Sequence, residues 1–259
     1  MLIKSEKNGH ILEHDEEQHI YLLDNKPLTG VTTIISQGYP KSQRIVDWQA
    51  EKGAEWAIQQ VGKMELPEIL KAAPTAYRVE LDEAADIGTA VHDLAYNYTK
   101  FNKCDVEQHK LHPNYDIIVR CFEQFVEWTN TVSDEIVALE ELVCSPSLMF
   151  AGRFDRLSDR KGVITLSDYK TSSSFYITQF IQMAAYAIAI EEWMGIEVED
   201  IEIVRFDKKS GKLSTRNLLQ VAQTVNLKPK TVMKRLKAEF ASILETVHFK
   251  EQFDRYIRK

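Results

Sequence analysis

An α/β fold, with a mixed central sheet flanked by helices and an N-terminal helical wall, is predicted by three observations. Apolar residues recur at helical spacing through much of residues 31–131, residues 136–170 turn to strand-like runs, and helix and strand patterns interleave from residue 178 onward. The 259 residues, 44% of them hydrophobic, suffice for one substantial core, so a single domain over 1–259 is expected. Its residues 1–133 are read as mainly helical, and 134–259 as the sheet core with the closing helices.

The elements follow in order. A small hairpin pairs Ile11-Leu12 with residues 19–23 and turns back at Asp24-Asn25 before Pro27. Helices are expected at 31–37, at 42–61, from 75 or later to 100, and at 114–131. The last has Ile117, Ile118, Cys121, Phe122, Phe125 and Val126 as its buried stripe. Strands take over at 136–144, 148–157 and 163–170. A covering helix at 178–194 leads through Gly195 to a strand at 200–206, a turn at Ser210-Gly211 and a strand at 213–217, after which helices close the chain.

Composition excludes several classes of function. Residues 1–17 are polar and the longest mostly apolar run, 180–190, is too short to cross a bilayer, so a cytoplasmic protein is expected, or one in the host cytoplasm if phage-encoded, with no membrane partner. Cys104, Cys121 and Cys144 are widely spaced and lack any C-x-x-C pattern, which reads as reduced, mostly structural thiols. No Gly-Lys-Ser or Gly-Lys-Thr phosphate loop and no zinc-type spacing is present, so no ATPase motor is expected in this chain. The net charge of −7 divides unevenly. Residues 201–259 carry 14 Lys and Arg against 6 Asp and Glu, a local excess of +8 that suits a polyanion.

Chemistry concentrates between residues 152 and 186. Side chains alternate along a strand, so Asp168 and Lys170 project from one face and Tyr169 from the other. The midpoint between Asp155 and Asp168 falls at Lys161-Gly162, inside a polar turn, which sets the two carboxylates side by side if the flanking runs form a hairpin. Neighbouring carboxylates repel unless a cation lies between them, and Mg2+ or Mn2+, one ion or two, is the natural guess. With Lys170 as a nearby ammonium, the set suits metal-assisted hydrolysis of a phosphodiester. Gln179, Gln182 and Tyr186 share one side of the following helix and are expected to lie over the site. Taken singly, an Asp-x-Lys on a strand edge is usually a solvated face, and joint occurrence in order is what gives the pattern its force.

At these residues the sequence resembles the PD-(D/E)XK nuclease superfamily, and within it the branch containing the RecB nuclease domain and the mitochondrial genome maintenance exonuclease. Gly152-x-x-Asp155, Asp168-x-Lys170-Thr171, Gln182-x-x-x-Tyr186 and, upstream, Gly88-Thr89-Ala90-Val91-His92 carry the likeness; the proline of the superfamily name is replaced by Phe154. The resemblance implies a restriction-endonuclease-like core. By it, His92, Asp155, Asp168 and the Tyr169 backbone carbonyl hold metal, Lys170 serves catalysis, and Gln182 and Tyr186 support Lys170 and the scissile phosphate. Some relatives hold an iron-sulfur cluster with four cysteines, but no cysteine follows Cys144, so none is expected here. A helicase or recombination partner is a further expectation from the resemblance.

Substrate contacts are expected at Thr171 and Ser172 in the polar loop after Lys170, at Arg205, Lys208, Lys209, Lys212 and Arg216 on the late hairpin, and at Lys228, Lys230, Lys234, Arg235 and Lys237. Of Trp48, Trp56, Tyr77, Tyr96, Tyr98 and Tyr115, most are read as core, and one or two bordering the site would offer flat rings for unpaired bases. The expectation is an exonuclease acting on single-stranded DNA ends. An endonuclease or end-trimming subunit on the same scaffold, and a non-catalytic DNA-binding scaffold, remain open at this point.

Overall fold

The computed structural model describes residues 2–209 and 212–257, so the turn expected at Ser210-Gly211 lies outside the described residues. Two compact units divide the chain: one comprises Met1–Tyr39 with Val91–Lys259, the other Pro40–Ala90.

The first unit is built on a nine-stranded mixed sheet. Strands β1 (Leu2–Lys7), β2 (His10–Asp15), β3 (Ile20–Leu23) and β4 (Lys26–Gly30) form an antiparallel meander, larger than the single hairpin expected. β1 alternates exposed and half-buried positions with charged residues on both sides, so its sequence reads as polar. Asp24 and Asn25 take the left-handed backbone that a two-residue turn between β3 and β4 requires. A short helix α1 (Val31–Gly38) follows.

Helix α5 (Tyr115–Thr131) precedes three antiparallel strands, β5 (Glu135–Ser145), β6 (Phe150–Asp159) and β7 (Ile164–Lys170). β4 joins β6 in parallel through Thr29↔Phe150 and Gly30↔Ala151. The largely apolar α6 (Ile177–Met194) then crosses to β8 (Asp200–Phe206), parallel to β7, and β9 (Leu213–Asn217) closes the sheet. Gly195 at φ +71 ends α6 in the left-handed conformation that a side chain would disfavour. α7 (Leu218–Thr224) and α8 (Pro229–Ile257) finish the chain. No helix among the described residues is long and apolar enough to cross a membrane.

The sheet is covered on both faces, as an α/β core requires. Rings of Phe125 and Trp128 on α5 meet Tyr169 at centroid separations of 5.3 and 5.8 Å, and Phe125 meets Phe206 at 6.2 Å. Ile181, Ala184 and Ala185 of α6 and Phe240 of α8 belong to the main buried cluster with Phe150, Phe154 and Ile203. A buried ionic network adjoins the aromatic layer. Arg156 Nη2 donates to Asp134 Oδ1 at 2.6 Å, both side chains 4% exposed, and its guanidinium lies 5.2 Å from the Trp128 ring. Arg160 Nη2 lies 2.8 Å from Glu202 Oε2.

In the second unit, α2 (Gln43–Gln60) starts at Ser42, whose hydroxyl caps the Ile45 amide. Trp48 meets Tyr77 edge to face at 6.1 Å, so these two rings pack together rather than standing free. A short α3 (Leu66–Ala72) was not expected; Pro67 suggests a break but fits the first turn of a helix. α4 (Arg78–Phe101) begins in this unit and continues into the other.

Candidate active site

The site lies where the β6–β7 hairpin stops pairing. The ladder runs from Asp159↔Ile164 to Arg156↔Ser167, and the next opposed positions are Asp155 and Asp168. Beyond that pair the strands no longer hydrogen-bond to each other. In place of a ladder carbonyl, Asp155 Oδ2 accepts the Tyr169 amide at 2.7 Å, so the carboxylate braces the fork.

Around this fork three donor groups converge: His92, Glu140 and Asp155 each offer one ligand atom, all within 4.8 Å of one another. His92, on the part of α4 within the first unit, places Nε2 3.0 Å from the Tyr169 carbonyl. A carbonyl can only accept, so Nε2 carries the proton and Nδ1 is left facing the carboxylates. Nδ1 stands 3.5 Å from Asp155 Oδ1 and 3.8 Å from Glu140 Oε1. The carbonyl expected as a metal ligand is thus engaged in orienting the imidazole.

Glu140 is absent from the sequence-based set. It adopts φ +49 within β5, where a non-glycine residue seldom goes, between the ladder pairs Leu139↔Arg156 and Glu141↔Phe154. Arg153 Nε holds its other oxygen at 3.1 Å, while Arg153 Nη1 reaches Glu16 Oε1 at 2.9 Å. Asp168 stands outside the three-donor group and pairs with Lys170, Nζ to Oδ2 2.5 Å.

These positions decide the charge states. Burial alone would depress the His92 imidazole, but Asp155 and Glu140 beside Nδ1 outweigh it and raise its pKa well above the ordinary value. Glu140 is raised, first by burial and also by Asp155. Burial and Asp155 push Asp168 up to about 6, against the pull of Lys170. Asp155 is lowered, because His92, Lys170 and the Tyr169 amide outweigh its burial. Lys170 is raised: Asp168, Asp155 and Glu140 hold the ammonium charged despite burial.

A divalent cation fits this chemistry. An Nδ1 lone pair facing two carboxylates is repulsive unless a proton or a metal lies between, and the three donor atoms lie within 4.8 Å of one another, close enough to share one ion. One nitrogen and two carboxylate donors suit Mn2+ as well as Mg2+.

The remaining expected residues divide. On α6, Gln182 Nε2 donates to Tyr186 Oη at 3.1 Å, and the buried Tyr186 ring packs against the strand at Gly152, where no Cβ would fit. Ser172 Oγ accepts from Gln179 Nε2 at 3.1 Å and donates to the Ser174 carbonyl at 2.8 Å. Arg205 clamps that loop, donating to the carbonyls of Ser172 and Ser173 and pairing with Asp207 at 2.9 Å. Burial lowers the pKa of half-buried Lys208. Lys209 and Lys234 are exposed, and Thr171 is half-buried.

A hairpin fork that gathers an imidazole, acidic groups and an ammonium, on a mixed sheet covered by helices, is an arrangement that could hold a cation beside a phosphodiester. The model of the PD-(D/E)XK nuclease superfamily matches residues 54–257, and the chain belongs to that superfamily. No curated protein matches the sequence. A solved structure described as "Crystal structure of SSO0001" is similar at 12% identity over 78% of this chain and 86% of that one, with a TM-score of 0.28, and the assignment rests on the family match.

Proposed function

We propose that this chain hydrolyses DNA phosphodiester bonds in a divalent-cation-dependent reaction, as an exonuclease of the RecB-like branch acting on single-stranded ends. The observation that supports this most is the Lys170–Asp168 pair at 2.5 Å, set beside the His92, Glu140 and Asp155 donors at the β6–β7 fork.

His92 Nδ1, Glu140 and Asp155 would hold the cation, which when bound supplies Lewis-acid charge to the phosphodiester and lowers the pKa of water at the site. The chain's own groups do the rest. His92 keeps its proton on Nε2 through the Tyr169 carbonyl, leaving Nδ1 as the donor. Arg153, bridged to Glu16, positions the Glu140 carboxylate. Lys170 remains an ammonium, so it stabilises charge developing on the phosphoryl oxygens rather than removing a proton, and Asp168 orients it. Gln182 and Tyr186 present an amide and a hydroxyl from α6 as further polar contacts to the phosphate. The excess of +8 over residues 201–259 provides attraction for the strand.

The test is digestion of end-labelled linear and circular DNA, single- and double-stranded, with Mg2+, Mn2+ or EDTA, using wild type, Asp168→Asn and Lys170→Ala. Each substitution is expected to lower turnover by at least about a hundredfold, with DNA binding retained in Lys170→Ala. Cleavage that persists in EDTA overturns the metal-dependent reading. Cutting of closed circles overturns end dependence alone and favours the endonuclease alternative.

A further inference from the structure

Beyond the clamped loop that follows Lys170, the first turn of α6 forms one wall of a groove of about 570 Å³. Tyr39, Tyr176, Ile177 and Val225 line it, with Arg235 and Glu239 of α8 at its edge. Ile177 and Val225 leave 56% and 51% of their surfaces exposed, an apolar lining open to water. Beside it, Lys228, which follows the lining residue Leu227, and Arg235 are exposed and form no ion pair among the described residues. Lys228 precedes α8 and Arg235 lies in its second turn, near the end where the helix dipole disfavours positive charge. Helix stability does not account for them. A phosphodiester strand crossing this edge would.

We infer that this groove is a nucleobase subsite that takes one unpaired base of the substrate strand, while Lys228 and Arg235 beside it contact its phosphates. The inference rests on the nuclease reading. Continuity with the candidate active site favours a nucleic-acid occupant over a protein one. Only residues 171–174 separate Lys170 from Phe175 at the groove, and that loop is held by Arg205 and Gln179 rather than left free. Apolar and aromatic walls suit a base face, and a guanidinium and a carboxylate one helical turn apart offer donors and an acceptor to its edge.

The test is binding in EDTA of single-stranded oligonucleotides in which one base at a time is replaced by an abasic unit. For wild type, Kd should rise about tenfold at one or two adjacent positions and little elsewhere. That increment should persist at high salt, whereas phosphate contributions fade. Val225→Trp, which fills the mouth of the groove, should raise Kd for the intact strand about tenfold and erase the position dependence; Ile177→Ala, a mild exposed truncation, should weaken it. Both variants should hydrolyse bis(p-nitrophenyl) phosphate, a diester without bases, as wild type does with Mn2+. A flat abasic profile, or unchanged position dependence in Val225→Trp, overturns the subsite even if metal-dependent cleavage is intact. Position-dependent binding in a protein that cleaves no diester instead overturns the nuclease reading and leaves the subsite standing.

Discussion

Replacing Gly152 with alanine tests how α6 is seated over the site. A Cβ built at Gly152 would lie 2.5 Å from Cε1 of Tyr186 and 3.4 Å from Cγ2 of Val31. Carbon pairs sit comfortably at about 3.5 Å, so the Tyr186 ring must retreat by roughly 1 Å. It has little room, being 4% exposed and tied through Oη to Gln182. Overpacking of this kind costs about 1–3 kcal/mol, offset by up to about 1 kcal/mol from the reduced freedom of the unfolded chain. The net loss of about 1–2 kcal/mol corresponds to a Tm lowered by roughly 2–8 °C at this chain length, read by calorimetry. The decisive measurement is a double-mutant cycle with Tyr186→Leu, which removes the colliding ring. In that background Gly152→Ala should be neutral or stabilising, a coupling of at least about 1 kcal/mol. Equal losses in both backgrounds would refute the steric account.

Three further outcomes follow from the same structure. Asp134→Ala strands the buried Arg156 guanidinium and should cost about 3–5 kcal/mol in urea unfolding, whereas the paired change Asp134→Leu with Arg156→Met should cost far less. Glu140→Asn places a residue that tolerates φ +49 in the left-handed position; stability should hold or rise while Mn2+ affinity by calorimetric titration falls at least about tenfold. His14, stacked on Tyr21 at 4.1 Å, has its pKa lowered from 6.5 by burial and then by Arg153, against the opposing pull of Glu16. Its folded pKa lies below the unfolded one, so its contribution is complete above pH 6.5 and is lost as pH falls through the folded value. His14→Phe keeps the stack and should flatten that part of the stability curve in thermal melts across this range.

Much of this arrangement is legible in the chain because strand register is arithmetic. A hairpin centred on Lys161-Gly162 opposes Asp155 to Asp168, and the ladder follows that register. The strong apolar run of α6 and the strands β8 and β9 are equally plain. Glu140 was within reach by the same sum, since β5 and β6 turn about Ser147-Leu148 and the pairs on either side oppose residue 140 to Asp155. Glu140 and Glu141 stand side by side in that strand and belong to none of the motifs, so neither stood out as a site residue. Arg205 was misleading in the opposite way: its charge suggests a phosphate contact, but its donors go to loop carbonyls and Asp207, which only the folded loop reveals. Likewise α3 carries too few residues and too early a proline for periodicity to register.

The Tyr169 amide, capped by a side chain where a sister strand would ordinarily serve, ties mutational genetics of this enzyme class to architecture. Asparagine at position 155 keeps a carbonyl to receive that N–H, but alanine leaves it orphaned in the interior at a cost of about 1–3 kcal/mol. A lost activity in the alanine form therefore reports two defects at once, and only the amide replacement separates ligation from scaffolding.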